Sequence, residues 1–490
     1  MSERARTGGL DAALARIVPA LEAFLRLTPG PDPARARSRW RPLLDHPLPQ
    51  QGVGADAVLA ELADVVIPNG LRVGAPGFSG WVTTMPTTVP AVASLAGALV
   101  AAQKWWVHPA NLLEVLAVRW LVQLLGLPDG FGGIFTSGGA MANLLGLGAA
   151  RQHAGERLGV NPAADGAAVL PRPRVYAPAS VHRVVLRACS VLGLGQRALR
   201  RVPTDPRRGP DLDLLRRAID EDLAAGCTPV AVVASAGDVN LGMVEPLDAM
   251  SRIARERGLW FHVDGAYGAF GVLDERVRPL YGDIGQIDSL TVDPHKWMAT
   301  PVGCGAVLVR DPAVLDRAFE IEQADYARYQ PATDVDPASP FEELGQGFPD
   351  RTFEHGAPAR GLVVWALLRE IGAQGMRERV TRHLDCARRV ADRARASDHL
   401  ELLAEPVLSI CCFRYRPPQV RDAGALDRLN EAIVCRLRAR GRVSPSTTLV
   451  DDKLAIRPCF IGPRATLADA DALVDEVLAA GHDLASSGPP

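Results

Sequence analysis

Residues 229–235, PVAVVAS, form a continuous apolar run of strand length. A strand with one wet face alternates apolar and polar residues, so an unbroken run points to a strand covered on both faces, as in a parallel sheet. Further strand-length segments at 132–135, 174–176, 260–263, 289–292 and 305–309 alternate with helical patterns at 110–125, 141–152, 181–192 and 247–256. Parallel neighbours need right-handed crossovers, so this region is expected to form an α/β fold with a mixed, mostly parallel sheet. Beyond it, helical segments at 362–371 and 376–396 lead into strands at 407–414, 442–448 and 453–457, which alternate with helices at 425–439 and 467–480. That pattern reads as a smaller C-terminal α+β domain. Residues 323–352 are rich in Pro, Asp, Ala and Gly and lack periodicity, which suits a lid or an insert.

The 54 basic residues nearly balance the 56 acidic ones, so no global field points to nucleic acid or anionic lipid. No charged residue lies between Val73 and Gln103, yet the sustained apolar run 91–102 falls well short of the roughly 20 residues that span a bilayer. With Pro76, Pro86 and Pro90 ahead of it, a buried helix is expected there rather than a membrane segment. The N-terminus lacks a signal-peptide core. Eight cysteines show no C-x-x-C pair and no cluster with histidine, so the reading is reduced thiols, no metal, and a soluble cytoplasmic protein. Three lysines, Lys104, Lys296 and Lys453, stand against 51 arginines.

One of those lysines lies in a chemically suggestive place. The strand ending FHV runs into Asp264 and a small-residue turn, and the strand SLTV runs into Asp293-Pro294-His295-Lys296. Ligands of open α/β sheets bind beyond the carboxyl ends of the strands, so Asp264 and Lys296 are candidates to face one cleft. A lysine there suits Schiff-base chemistry, and an aspartate opposite it suits a pyridinium nitrogen. Taken singly, Asp264 reads equally well as a helix cap and Lys296 as a solvated loop residue. The turn Thr136-Ser137-Gly138-Gly139-Ala140 precedes a helix and offers free backbone N–H groups to a phosphate. There is no G-x-x-x-x-G-K-[ST] and no G-x-G-x-x-G, so a nucleotide reading has no specific support. His182, opening a helix after a strand, could stack on a cofactor ring or serve as an ordinary cap.

TSGGAMANLLGL, the strand–turn–helix around His182, FHVDGAYG and SLTVDPHKWMATP occur in that order. Their spacing resembles that of the group II pyridoxal-phosphate-dependent amino-acid decarboxylases, over roughly residues 70–460. The resemblance implies a fold-type I enzyme and an obligate homodimer. Its domains would be an N-terminal partner-wrapping segment (1–85), a large pyridoxal 5'-phosphate domain (86–370) and a small domain (371–490). It implies that Lys296 bonds the cofactor, Asp264 pairs with the ring nitrogen, and His182 and Ala266 cover the two ring faces. Gly139, Ala140 and His295 would lie at the phosphate. The expected reaction is decarboxylation of an L-amino acid to its amine: the substrate amine displaces Lys296, carbon dioxide leaves, and Cα is protonated.

Several positions depart from the family pattern. Ala140 stands where many members carry serine, and Ser235-Ala236-Gly237-Asp238-Val239-Asn240 replaces a Gly-Thr-Thr turn. The lid-like stretch offers only Tyr326 and Tyr329 as proton donors. These departures leave room for oxidative deamination, transamination or a carbon–carbon lyase on the same cofactor, or for a catalytically silent homologue. Trp81 and Thr84, with Phe78, Trp105 and Trp106, fall in the region that the resemblance places at the substrate pocket. Arg360 or Arg457 could instead take a second substrate carboxylate.

Overall fold

A computed structural model describes residues 9–30, 37–38, 40–45, 48–100, 109–205, 209–319, 351–354 and 356–486. The chain divides into two compact units, one of Thr84–Leu384 and one of Met1–Thr83 with Asp385–Pro490.

The first unit is built on seven strands: β1 (Gly132–Thr136), β2 (Pro173–Pro178), β3 (Leu199–Val202), β4 (Thr228–Ser235), β5 (Trp260–Asp264), β6 (Ser289–Val292) and β7 (Gly305–Val309). They lie in the order β1-β7-β6-β5-β4-β2-β3. Only β7 runs against its neighbours, so the sheet is mixed and mostly parallel, as expected. Every residue of β4 is buried, the consequence of its unbroken apolar run. β3, with the sequence LRRV, was not foreseen. It lies at an edge, where arginines find water on one side and also protect the open ladder.

The helix Gly139–Leu158 packs Leu145, Leu147, Ala149 and Ala150 into a core with Ile134, Val175, Val233 and Val307. The helix Thr88–Val100 forms where a buried helix was expected, yet within the single chain it buries only Pro90 and Gly97. Val92 and Leu99 stay about 60% exposed, with that face left uncovered among the described residues. No helix among the described residues is long and apolar enough to cross a membrane.

The second unit holds a five-stranded sheet in the order Phe78–Ser79, Ser444–Val450, Lys453–Arg457, Cys412–Tyr415, Leu400–Ala404. Phe78–Ser79 pairs in parallel with Ser444 and Pro445, which ties the N-terminal segment into this unit. Gly77 makes that approach possible: at φ 82 a Cβ would meet the Arg442 carbonyl at 2.4 Å. The helices Ala423–Arg440 and Leu467–Ser486 close over a core containing Phe413, Tyr415, Ile433, Leu437 and Val477. The long helix Arg360–Arg395 is broken at Gly372 (φ 65, ψ 179), and the two units divide within it at Leu384/Asp385 rather than at the 370/371 boundary expected from the sequence.

Candidate active site

β4, β5 and β6 are parallel neighbours whose carboxyl ends lie side by side. Asp264 closes β5, in register with Ser235 of β4 and Thr291 of β6. Its carboxylate accepts the Ala266 N–H (3.1 Å), while the Gly265 N–H goes to the Thr291 carbonyl (3.1 Å). A short acceptor at the strand end thus folds DGAYG into a tight turn. Ala266 and Tyr267 are buried behind it.

β6 leads into the turn carrying Lys296, whose N–H donates to the Asp293 carbonyl (2.9 Å). The Lys296 Nζ lies 2.9 Å from Asp293 Oδ2. The other oxygen of that buried carboxylate has no hydrogen-bond partner among the described residues. His295 Nδ1 contacts the Cys304 carbonyl at 2.7 Å. A carbonyl only accepts, so Nδ1 carries a proton and donates it there. Trp297, fully buried, stacks on Tyr267 (5.3 Å, 13°) and donates its indole N–H to His383 Nδ1 (2.9 Å). Arg379 donates to the Met298 carbonyl, so the segment after Lys296 is held on both sides.

The antiparallel register of β1 and β7 sets Gly305 opposite Thr136 and brings the glycine turn against the lysine turn. The helix Gly139–Leu158 starts from Gly138 (φ 141) with no side-chain cap, leaving its first N–H groups open. A Cβ on Gly139 would meet Asp293 Oδ2 at 2.7 Å and the Ala266 methyl at 3.1 Å; one on Gly138 would lie 3.3 Å from the His295 ring. Only glycine allows this approach. Ala140, one residue on, is exposed.

His182 is a cap and something more. Its Nδ1 accepts the Val184 N–H (3.3 Å) at the start of the helix Arg183–Val191. Both Asp264 and Lys296 lie within its electrostatic reach. Desolvation lowers its pKa, with Asp264 opposing and Lys296, Arg183 and Arg187 reinforcing the shift. The ring is therefore neutral near pH 7, with its proton on Nε2.

Trp81 belongs to the other unit, where its ring lies 6.2 Å from Phe78 and its carbonyl accepts from Arg457 (3.1 Å). Thr84 is fully buried, its hydroxyl without a partner among the described residues. Tyr326, Tyr329, Trp105 and Trp106 lie outside the described residues. Arg360 is already engaged: Glu354 receives it bidentately (2.7 and 3.1 Å) and the Gly303 carbonyl takes its Nε–H (2.8 Å). A substrate carboxylate would have to displace Glu354.

Four residues with no role in the sequence reading join the site. Asp293 pairs with Lys296, as above. Glu245 accepts the Ser235 N–H (2.7 Å) from a buried position, and burial pushes its carboxyl up to about 8, with Asp238 and Asp264 adding. Asp238 accepts the N–H groups of Asn240, Leu241 and Met243 (2.7–3.1 Å) and so shapes the turn that replaces Gly-Thr-Thr. Asn143 donates to the Gly139 carbonyl (2.8 Å). Only the i, i+4 spacing of Gly139 and Asn143 signalled this last contact in the sequence.

An amine, an acid and an uncapped helix start converge at one end of the sheet, with glycines where a Cβ would not fit. That donor set suits a cofactor carrying an aldehyde, a ring nitrogen and a phosphate. A family model described as the pyridoxal-dependent decarboxylase conserved domain matches residues 38–416. An aromatic-L-amino-acid decarboxylase of Bacillus atrophaeus is 30% identical over 380 residues, covering 78% of this chain and 75% of that one. An L-2,4-diaminobutyrate decarboxylase of Rhizobium meliloti (strain 1021) is 30% identical over 433 residues, 86% of this chain and 81% of that one. In fold, the chain is similar to Oryza sativa TDC solved with PLP and tryptamine, with a TM-score of 0.85, 24% identity and 97% of each chain covered. It is equally similar to mouse CSAD, with a TM-score of 0.85, 24% identity, and 97% and 99% covered.

Proposed function

The chain belongs to the pyridoxal-dependent decarboxylase family, and from that premise we propose that Lys296, Asp264 and His182 form the centre that decarboxylates an L-amino acid on pyridoxal 5'-phosphate. One observation carries the assignment: Asp264 and the Lys296 turn end adjacent parallel strands, and both lie within electrostatic reach of His182.

When bound, the cofactor supplies an electron sink for the carbon that loses its carboxylate. Lys296 provides the amine that holds it, and Asp293 keeps Nζ at the strand end. Asp264 holds the proton on the ring nitrogen. His182, being neutral, can lie flat on one ring face without opposing that positive charge, and Ala266 closes the other face. Gly139 and Ala140 offer backbone N–H groups to the phosphate, with His295 beside them. Trp81, Thr84 and the lid tyrosines Tyr326 and Tyr329 are assigned to the substrate side by family resemblance.

The relatives named above act, by their names, on aromatic and on diamino acids, and this chain is assigned an amino acid from that range. The test is carbon dioxide release from a panel of aromatic, diamino and acidic amino acids. Wild-type protein should show the visible absorbance of bound pyridoxal phosphate and turn over at least one of them. Lys296→Ala should lose both. Absorbance without carbon dioxide, but with ammonia, hydrogen peroxide or a keto acid, would replace decarboxylation by another reaction on the same cofactor.

A homodimer is supported by the apolar face of Thr88–Val100 that stays exposed among the described residues, and residues 1–85 are assigned to reach the partner subunit. A reducing, cytoplasmic setting is supported by eight free thiols, seven of them buried.

A further inference from the structure

A line of buried polar groups crosses the sheet beneath the glycine turn. His262, fully buried on β5, lies 2.7 Å from Ser289 Oγ through Nδ1 and 3.0 Å from Asn143 Oδ1 through Nε2. Trp260 donates its indole N–H to the same Ser289 oxygen (2.7 Å). Asn143 in turn donates to the Gly139 carbonyl (2.8 Å).

The direction of every bond in this line follows from the two ends. The Gly139 carbonyl only accepts, so Asn143 presents its NH₂ there and its oxygen to His262. His262 must then carry its proton on Nε2, leaving Nδ1 to accept the Ser289 O–H. That frees a lone pair on Ser289 for Trp260. Burial pushes the His262 pKa down to about 4, so the ring stays neutral with this one tautomer across the neutral range. The helix is held tightly against the line: a Cβ on Gly146 would meet the His262 ring at 2.7 Å.

We propose that His262 is a positioning residue for the phosphate end of the cofactor site, acting through Asn143 on the Gly139–Ala140 peptide. In a trans peptide the carbonyl of Gly139 and the N–H of Ala140 point opposite ways. Drawing that carbonyl down the helix toward Asn143 aims the Ala140 N–H out of the open helix start. In a chain whose phosphate turn has alanine in place of a hydroxyl residue, the aim of this backbone donor carries more of the binding. The inference rests on the cofactor site proposed above.

Two substitutions separate the two sides of the ring. The amide of His262→Gln can reach the Nε2 position and donate to Asn143, whereas His262→Asn ends near Nδ1 and keeps only Ser289. Apoprotein is titrated with pyridoxal phosphate by absorbance, and amide exchange of the first turn of Gly139–Leu158 is followed without cofactor. His262→Asn should weaken binding by about tenfold and speed first-turn exchange, and His262→Gln should stay within about threefold of wild type. Equal losses in both variants would show only a packing role, and an unchanged His262→Asn would remove the relay; either overturns the inference. If His262→Asn does not fold, Asn143→Asp, which lacks the donor to Gly139, takes its place. Wild-type apoprotein that fails to take up pyridoxal phosphate overturns the cofactor site itself, and the exchange data still decide the relay.

Discussion

Lys296 serves two requirements that a single substitution can separate. Its charge pairs with Asp293, and its primary amine is what an aldehyde needs. Lys296→Arg keeps the first and loses the second, because guanidinium does not form the imine. Absorbance of bound cofactor and carbon dioxide release should both vanish, with apoprotein stability changed by no more than about 1 kcal/mol in urea unfolding. Lys296→Ala, by contrast, leaves the buried Asp293 carboxylate without its ammonium and should cost the apoprotein about 1–3 kcal/mol. Asp264→Asn keeps the shape and an acceptor for the Ala266 N–H but cannot hold a proton on the ring nitrogen. Its kcat should fall by at least about a hundredfold while cofactor still binds. The sequence marked both residues because Asp264 directly follows an apolar stretch and Lys296 lies in the short turn after another, four residues past its end. It gave no sign that Asp293 would turn back to Lys296, since that depends on the conformation of the turn.

At the level of elements, the helix Gly139–Leu158 sits close to β5 only because Gly146 has no side chain. Gly146→Ala would drive a methyl into the buried His262 ring and should destabilise the protein by about 1–3 kcal/mol, read from the urea midpoint. The turn after β4 predicts a pH effect. Folded Glu245 holds its proton up to about pH 8, whereas the unfolded chain releases it near 4.5. Between these values the native state binds more protons, so this residue makes stability fall as pH rises. Glu245→Gln can still accept the Ser235 N–H but has no proton to lose. The variant should gain on wild type by a few kcal/mol between pH 5 and pH 8, and an identical pH dependence in both proteins would contradict the shift. Neither contact is visible in the sequence, because Gly146 meets His262, and Glu245 meets Ser235, only in the folded chain.

The whole molecule should respond to its cofactor as one ligand-linked system. At a free pyridoxal phosphate concentration of 100 times Kd, stabilisation of about 2.7 kcal/mol is expected, and Lys296→Arg should show little of it in thermal melts. Assembly makes a separate prediction. Leu99 is about 60% exposed in the single chain, so Leu99→Glu should leave monomer stability within about 0.5 kcal/mol of wild type. If the proposed homodimer buries this face, the same variant should sediment more as monomer than wild type does, because the charge would be buried at the interface. A variant that sediments as wild type would place the interface elsewhere.

The sequence by itself marked six of the seven strands of the first sheet and the residue types that follow them, and missed the edge strand Leu199–Val202. Those features are local: an unbroken apolar run, a period, an acid or an amine placed just after a strand. Tertiary structure alone decided which of these ends meet. Asn143 and His262 are separated by 119 positions, and their hydrogen bond exists only because one helix crosses one strand at one height. The same holds for Arg360, which the sequence offers as a free guanidinium and the fold assigns to Glu354. It holds too for Phe78–Ser79, whose partner strand begins at Ser444. Hydrophobic period and turn chemistry are set by neighbours a few residues away, whereas the partner of a buried polar atom is set by packing, and packing exists only once the chain has folded.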